Sequence, residues 1–357
     1  MKLREAVAGL LATLFLTILS LTTSTAATPA RPAGSVLPDP VATVPATPTP
    51  AAPVPLSLPL RVVGSTPLWA GTASNTVLPT EDAFHELYAG RADLVLGPLP
   101  PPPAPTGTAQ PVSVPVGVYA VSVAYSLPGV ALRLDLPTLC SLLSGRLSRW
   151  DAPAVAALNP GVRLPALPVL VSVRTARNGV SLAVAGACVK AGVWPASQLK
   201  ATWSGGAAFT RASLGAVRTD LSIPGALAVF ALQATPRGVQ TASLRAPGGS
   251  FVPPRSELGL SGPRLPGAPP TLPTWPFGVL HTSDTVGAYP LRGLVWASYL
   301  PEQAYRQRPP ERAQALLALL TALRSGSGRG VAGLPLNSWS RLPMTYGGQP
   351  LQQSAPP

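Results

Sequence analysis

An α/β fold is what this chain predicts, and three observations carry it. Leu167 to Val173 is a short apolar run rich in β-branched residues, as expected of a strand buried in a sheet. It feeds, through the Gly-containing turn Arg174 to Gly179, an apolar helical run from about Val180 to Val189, and strand-turn-helix order of this kind builds sheets with helices on their faces. The chain has 357 residues, enough for two domains of ordinary size with sizeable cores.

The start of the chain lies outside that fold. Lys2 and Arg4 precede an apolar run from about Ala6 to Leu21, then Ser24, Thr25, Ala26 and Ala27, so residues 1–27 have the layout of a secretory signal peptide. An uncleaved membrane anchor is the other reading, for which the run is slightly short. No cysteine lies near the expected cleavage at Ala26 or Ala27, so lipid attachment is not expected. Residues 28–59, dominated by Pro, Ala, Thr and Val without periodicity, read as an extended linker.

Folded structure is expected from Leu60, where LRVVGST reads as a strand entering a loop at Gly64. Thr80 to Ala89 is helical in pattern, with Glu81 and Asp82 near its start, and ADLVLGP is the next strand. Pro98 to Gln110 must be a loop by its proline content, and VSVPVGVYAVSVAYSL suits a long strand. From Leu139 the chain reads as a helix, a turn at Gly145, a loop bearing Trp150, and a second short helix. Ile223 to Gln233 has a helical pattern with Pro224 in its first turn. Ser256 to Pro273 is Gly- and Pro-rich and reads as a surface loop. LRGLVWASYL is a strand, and Glu311 to Arg324 an amphipathic helix with Leu316, Leu319, Leu320 and Leu323 on one face. Residues 346–357 read as a disordered tail.

The formal charge of +13 is almost wholly arginine, since Lys2, Lys190 and Lys200 are the only lysines. Nucleic acid is nevertheless not the expected partner: charged residues are only 11% of the chain and the arginines are scattered, without a basic run or interleaved aromatics. Anionic solutes or surfaces fit better. A metal site has almost no material, because His85 and His281 are the only histidines and neither has ligand spacing around it. No cofactor is implied. Cys140 and Cys188, the only cysteines, could form one disulfide in an exported chain or stand as two buried thiols, and both readings stay open.

The order of residues from Gly145 onward resembles the phosphate-binding proteins of bacterial ABC transporters, the PstS family. Gly145, Leu147, Trp150, Asp151, Pro153, Leu158, Asn159, Pro160, Gly161, Leu164 and Pro165 match that family's signature in sequence order. Tyr125, Leu127, Pro128 and Gly129, and later Gly287, Ala288, Tyr289, Pro290 and Leu291, match its two crossovers between lobes; Leu244, Gly248, Phe251, Val252 and Pro254, and Gly333 to Leu336, match further elements. The resemblance implies a two-lobed, Venus-flytrap fold, each lobe a central β-sheet flanked by helices, joined by two crossover hinge strands. Lobe 1 would comprise residues 60–118 and 285–345, and lobe 2 residues 119–284.

It also implies a site. The family motif Arg-x-Asp-x-Ser-Gly-Thr falls on the turn at Arg174, with Arg174 and Gly179 matching and Ala176, Asn178 and Val180 in place of Asp, Ser and Thr. Arg174 would grip a phosphate or other small oxyanion, helped by the Asn178 amide and the backbone N–H groups of Gly179 and Val180. Ser65 and Thr66 match the family's loop after the first strand. Asp93 matches the earlier of two family aspartates, whereas the later one, which accepts the proton of bound phosphate, falls near Pro98. Each hydrogen bond lost to a charged ligand costs about 1.5–3 kcal/mol. The expected protein is thus a monomeric, periplasmic or secreted solute-binding component delivering an oxyanion to an inner-membrane ABC permease. The alternative is a chain that keeps the fold as a structural or interaction module of the cell envelope. An enzyme is not expected, because no nucleophile motif, metal cluster or paired carboxylates can be read.

Overall fold

The computed structural model describes residues 60–64, 75–206, 209–255, 282–325, 331–333 and 342–351. The expected signal peptide, the linker, Ser65, Thr66 and the loop from Ser256 to Pro273 lie outside them.

The chain opens with Val62–Gly64 (β1), Asn75–Val77 (β2), Thr80–Tyr88 (α1), Leu94–Gly97 (β3) and the long Val112–Tyr125 (β4). Then come Arg133–Leu134 (β5), Leu136–Leu143 (α2), Pro153–Leu158 (α3), Leu170–Arg174 (β6), Gly179–Lys190 (α4), Phe209–Arg211 (β7) and Leu214–Asp220 (α5). Ala226–Ala231 (β8), Gln240–Thr241 (β9), Ser243–Arg245 (β10), Phe251–Val252 (β11) and Arg292–Tyr299 (β12) follow. Pro310–Ser325 (α6), Val331–Gly333 (β13), Thr345–Tyr346 (β14) and Gln349–Pro350 (β15) complete the described elements. The fold is mixed α/β and two-lobed, as expected.

The main sheet runs β2-β1-β3-β12-β4-β8-β6-β7, with β13 and β9 also paired to β4. β4 serves the two halves of this sheet in succession. Its first stretch, Val112 to Ala120, pairs antiparallel with β12. Its second, Val121 to Tyr125, pairs antiparallel with β8. The change of partner falls between Ala120 and Val121, and the Val121 N–H goes to the Leu291 carbonyl at 3.0 Å. β12 is buried along its whole length and β4 nearly so, which explains why both read as almost continuous apolar runs rather than clean alternations.

The Trp150 signature is structural. Its fully buried indole donates to the Gly225 carbonyl at 3.0 Å, tying the loop before α3 to the turn before β8. Asn159 is buried as well and clamps β5, accepting from the Arg133 N–H at 2.8 Å and donating to the Arg133 carbonyl at 2.9 Å. Asp93, fully buried, is the joint of lobe 1. It accepts two hydrogen bonds from Arg312 on α6 at 2.8 and 2.7 Å, lies 2.7 Å from Arg308 and accepts from the Arg61 N–H. The aspartate matched to the family pattern is therefore a packing element. Cys140 and Cys188 form a disulfide that joins α2 to α4.

Two expectations are corrected. Ile223 to Gln233 is not a helix: Ala226–Ala231 is a strand between β4 and β6, and only Leu232–Ala234 forms a 3-10 turn. A short run such as ALAVFA has no polar positions to reveal its period, and burial in the middle of the sheet decides for strand. Nor are residues 346–351 a disordered tail. They form the β14–β15 hairpin, whose Gly347 and Gly348 N–H groups are held by the Glu302 carboxylate at 2.9 and 3.0 Å. β7 and α5 were not foreseen at all, and β6 begins at Leu170 rather than Leu167.

Candidate functional site

β6 ends at Arg174, and the chain turns through Thr175 to Asn178 before α4 starts at Gly179. The turn is fastened on both sides. Thr175 donates its N–H to the Arg211 carbonyl at 3.0 Å, and Asn178 donates its N–H to the Ala201 carbonyl at 2.9 Å. Asn178 then caps α4: its side-chain oxygen accepts from the Ser181 N–H at 2.8 Å, while its amide nitrogen donates to the Ala176 carbonyl and the Ser181 hydroxyl. With Ser181 served by the cap, the N–H groups of Gly179 and Val180 remain as open donors of the first helical turn. The positive end of the helix dipole lies at the same place.

Beside this turn lies a cavity of about 650 Å³. One wall is formed by Leu78, Glu81, Pro98 and Tyr119; the far wall includes Arg174, Gly179, Val180 and Phe230. Arg174 is half-buried, and its Nε is shielded from water without a hydrogen-bond partner among the described residues. A guanidinium N–H left in that condition costs about 1–3 kcal/mol, which an incoming acceptor would recover. The neighbouring arginines are already neutralised. Arg177 pairs with Glu81 at 2.8 Å, an ion pair that joins the turn to α1 across the cavity mouth. Arg211 grips Asp220 with two hydrogen bonds, at 2.7 and 2.9 Å, and its guanidinium holds that carboxyl below the usual carboxylate range. Arg174 is thus the uncompensated cation among the described lining residues.

Tyr119, absent from the sequence-based expectations, also lines the cavity. It sits on β4 one residue before the switch and is buried, and burial raises its phenol well above the ordinary value, so it remains a neutral hydrogen-bond donor. Two glycines make room for it. A Cβ on Gly293, its register partner on β12, would lie 2.1 Å from the Tyr119 ring. One on Gly179 would lie 2.4 Å from Pro98 and 2.9 Å from the Tyr119 hydroxyl. The match of Gly179 to the family motif is therefore accompanied by a steric demand: only glycine lets α4 approach lobe 1 this closely. Nothing in its own strand, which also carries Tyr125 and two serines, marks Tyr119 out.

Of the expected site residues, Arg174, Asn178, Gly179 and Val180 all line the cavity. Asn178 does so as a helix cap, with both amide hydrogens engaged within the turn, so its expected donation to a ligand is replaced by a positioning part. Val180 brings a half-buried apolar side chain to the wall. Ser65 and Thr66 lie outside the described residues. Among the described residues no group of three or more His, Cys, Asp or Glu is placed to hold a metal ion, and no helix is long and apolar enough to cross a membrane.

No family model matches the chain. A 70-residue segment is 36% identical to phosphate-binding protein PstS 3 of Mycobacterium leprae, 19% of either chain, and a 62-residue segment is 36% identical to phosphate-binding protein PstS 2 of Mycobacterium tuberculosis, 17% of either. The chain thus spans about a fifth of the length of the curated relatives it matches. Solved structures match over far more of it. The ancestral soluble variant of the human phosphate binding protein superposes with a TM-score of 0.55 at 16% identity, over 78% of this chain and 92% of that one. A high-affinity periplasmic phosphate-binding protein, PfluDING, solved with phosphate, gives 0.53 at 16% identity over 78% and 91%. These likenesses establish the fold.

Proposed function

We propose that this chain, which has the two-lobed fold of the periplasmic phosphate-binding proteins, is an exported solute-binding protein that holds a small oxyanion between its lobes. Delivery to an ABC permease and a monomeric state go with that reading. One observation carries it: Arg174, with a shielded and unpartnered Nε, lines a cavity alongside the open first turn of α4. Cation, oriented N–H groups and the neutral Tyr119 hydroxyl are all donors, and the carboxylates nearest to them are occupied by other arginines. A site made of donors with one net positive charge selects an anion. The fold neighbours bind phosphate according to their descriptions, and the 36%-identical segments come from phosphate-binding proteins. A shielded Arg174 Nε without a hydrogen-bond partner among the described residues favours this reading over an envelope module without a ligand.

Isothermal titration calorimetry with phosphate, sulfate and arsenate tests the reading. Saturable binding of an oxyanion that weakens at least tenfold in Arg174→Ala, with the melting temperature retained, is the expected result. Loss of one charge-assisted hydrogen bond of about 1.5–3 kcal/mol gives that factor or more. Binding unchanged in Arg174→Ala would refute the assignment.

A further inference from the structure

We infer that the preferred ligand of this cavity is an organic monoanion, a single carboxylate or sulfonate head carried on an apolar body, rather than free phosphate. The inference rests on the anion-site reading above and narrows its ligand class. The size of the space is the first ground. About 650 Å³ lies within the range of roughly 300–1,000 Å³ typical of pockets that enclose whole organic molecules, and inorganic phosphate would leave most of it to water.

The lining is the second ground. Apart from the donors already named, the walls are built largely from apolar side chains: Leu78 and Pro98 from lobe 1, and Val180, Leu214, Val217 and Phe230 from the other side. Val217 and Phe230 belong to a packed apolar cluster with Ala226 and Ala228, so this wall is part of a core and not a solvated face. A hydrated polyanion gains nothing from such surfaces, whereas a hydrocarbon body placed on them is removed from water on both sides.

Charge is the third. Arg177 and Arg211 are committed to Glu81 and Asp220, which leaves Arg174 as the lining cation without a counter-charge among the described residues. One guanidinium, two backbone N–H groups and one phenol balance a single negative head. A doubly charged oxyanion would enter with a charge left over in a poorly solvated space, which is costly. The wall position Val180 has no hydroxyl to offer it, and Asn178 has spent both amide hydrogens on its own turn.

The test is calorimetry on the chain as exported with phosphate, phenylphosphonate, butyrate, hexanoate and octanoate. Affinity should rise along the carboxylates by about fourfold for each methylene that becomes buried, and phenylphosphonate should bind more tightly than phosphate. Val180→Thr, nearly isosteric with the parent, should lower octanoate affinity several-fold and raise that for phosphate. Arg174→Ala should lose the whole series; Arg174→Gln serves if the alanine variant melts early. Phosphate binding as tight as octanoate and phenylphosphonate would overturn this inference while leaving the oxyanion receptor standing. No response to any of the five would overturn this inference, and no response to sulfate and arsenate besides would overturn the oxyanion receptor as well. A chain-length gain that persists in the Arg174 variants would show an apolar sink without an anion site, and that also overturns it.

Discussion

Truncating Asp93 to alanine should unfold the protein far more readily while leaving the ligand site as it is. The carboxylate is fully buried and is met by Arg312 twice, by Arg308 at 2.7 Å and by the Arg61 N–H. Its removal leaves two positive side chains, 9% and 25% exposed, around a void with no counter-charge. Breaking a buried ion pair from one side costs about 3–5 kcal/mol, because the partner charge stays behind uncompensated. For a folded part of this size that corresponds to a melting temperature about 5–8 °C lower. Differential scanning calorimetry provides the comparison, with Glu86→Ala as control. Glu86 also meets two arginines, Arg61 and Arg91, but at the surface, where water screens the interaction and its loss should barely move the transition. Asp93 does not line the cavity, so ligand affinity measured well below the transition should match the parent. A melting temperature within about 2 °C of the parent would refute the argument that this triad holds β3 to α6. A selective loss of affinity without loss of stability would return Asp93 to the ligand site.

Gly179→Ala should be destabilised by about 1–3 kcal/mol, because the new methyl meets the Pro98 carbonyl and the Tyr119 hydroxyl at under 3 Å. Small-angle scattering should show its lobes held further apart, and an unchanged scattering profile with unchanged affinity would argue against tight apposition there. Reducing the Cys140–Cys188 bond, which closes a loop of 48 residues, should lower stability by about 4 kcal/mol on the chain-entropy account, read from urea titrations with and without a reductant. Glu302 is pulled down to about 2, first by the Ala304 N–H and then by the Gly348 N–H, the Thr345 hydroxyl and the Gly347 N–H. A carboxyl depressed in this way stabilises the folded state above its ordinary value near 4.5 and loses that contribution as the pH falls toward 2. After discounting for solvent, the contribution is about 1 kcal/mol. Glu302→Gln should therefore cost stability at pH 6 and almost none at pH 2, and an equal cost at both would rule out the ionised clasp.

The parts of this molecule that were legible in its sequence are those where one residue type is irreplaceable. Trp150, Asn159 and Gly179 each satisfy a local demand that few other side chains meet: a long-range indole hydrogen bond, a two-sided clamp on β5, and a close helix approach. The place of Arg174 at a strand end before a helix start was legible too, and there it lines the cavity. What escaped reading depends on position in three dimensions. ALAVFA carries no polar residue to mark its period, and whether it coils or extends is decided by β4 and β6 on either side. Tyr119 is chemically ordinary in its own strand and acquires its place only through Gly293 and Gly179, which are far away along the chain. Asn178 matched the right position but is engaged by its own helix, because a short amide one residue before a helix caps it.

The strand that serves both halves of the sheet also sets the order in which the chain can be completed. The second half of the sheet draws its strands from the uninterrupted stretch between β4 and β9, so every partner is present once that stretch has been made. The other half must wait for β12, which arrives only after all of lobe 2 and then inserts between β3 and β4. Until then, the edges of β3 and the first part of β4 would stand unpaired next to a finished neighbour. That interval is when the chain would be exposed to proteases and to pairing with the wrong strand.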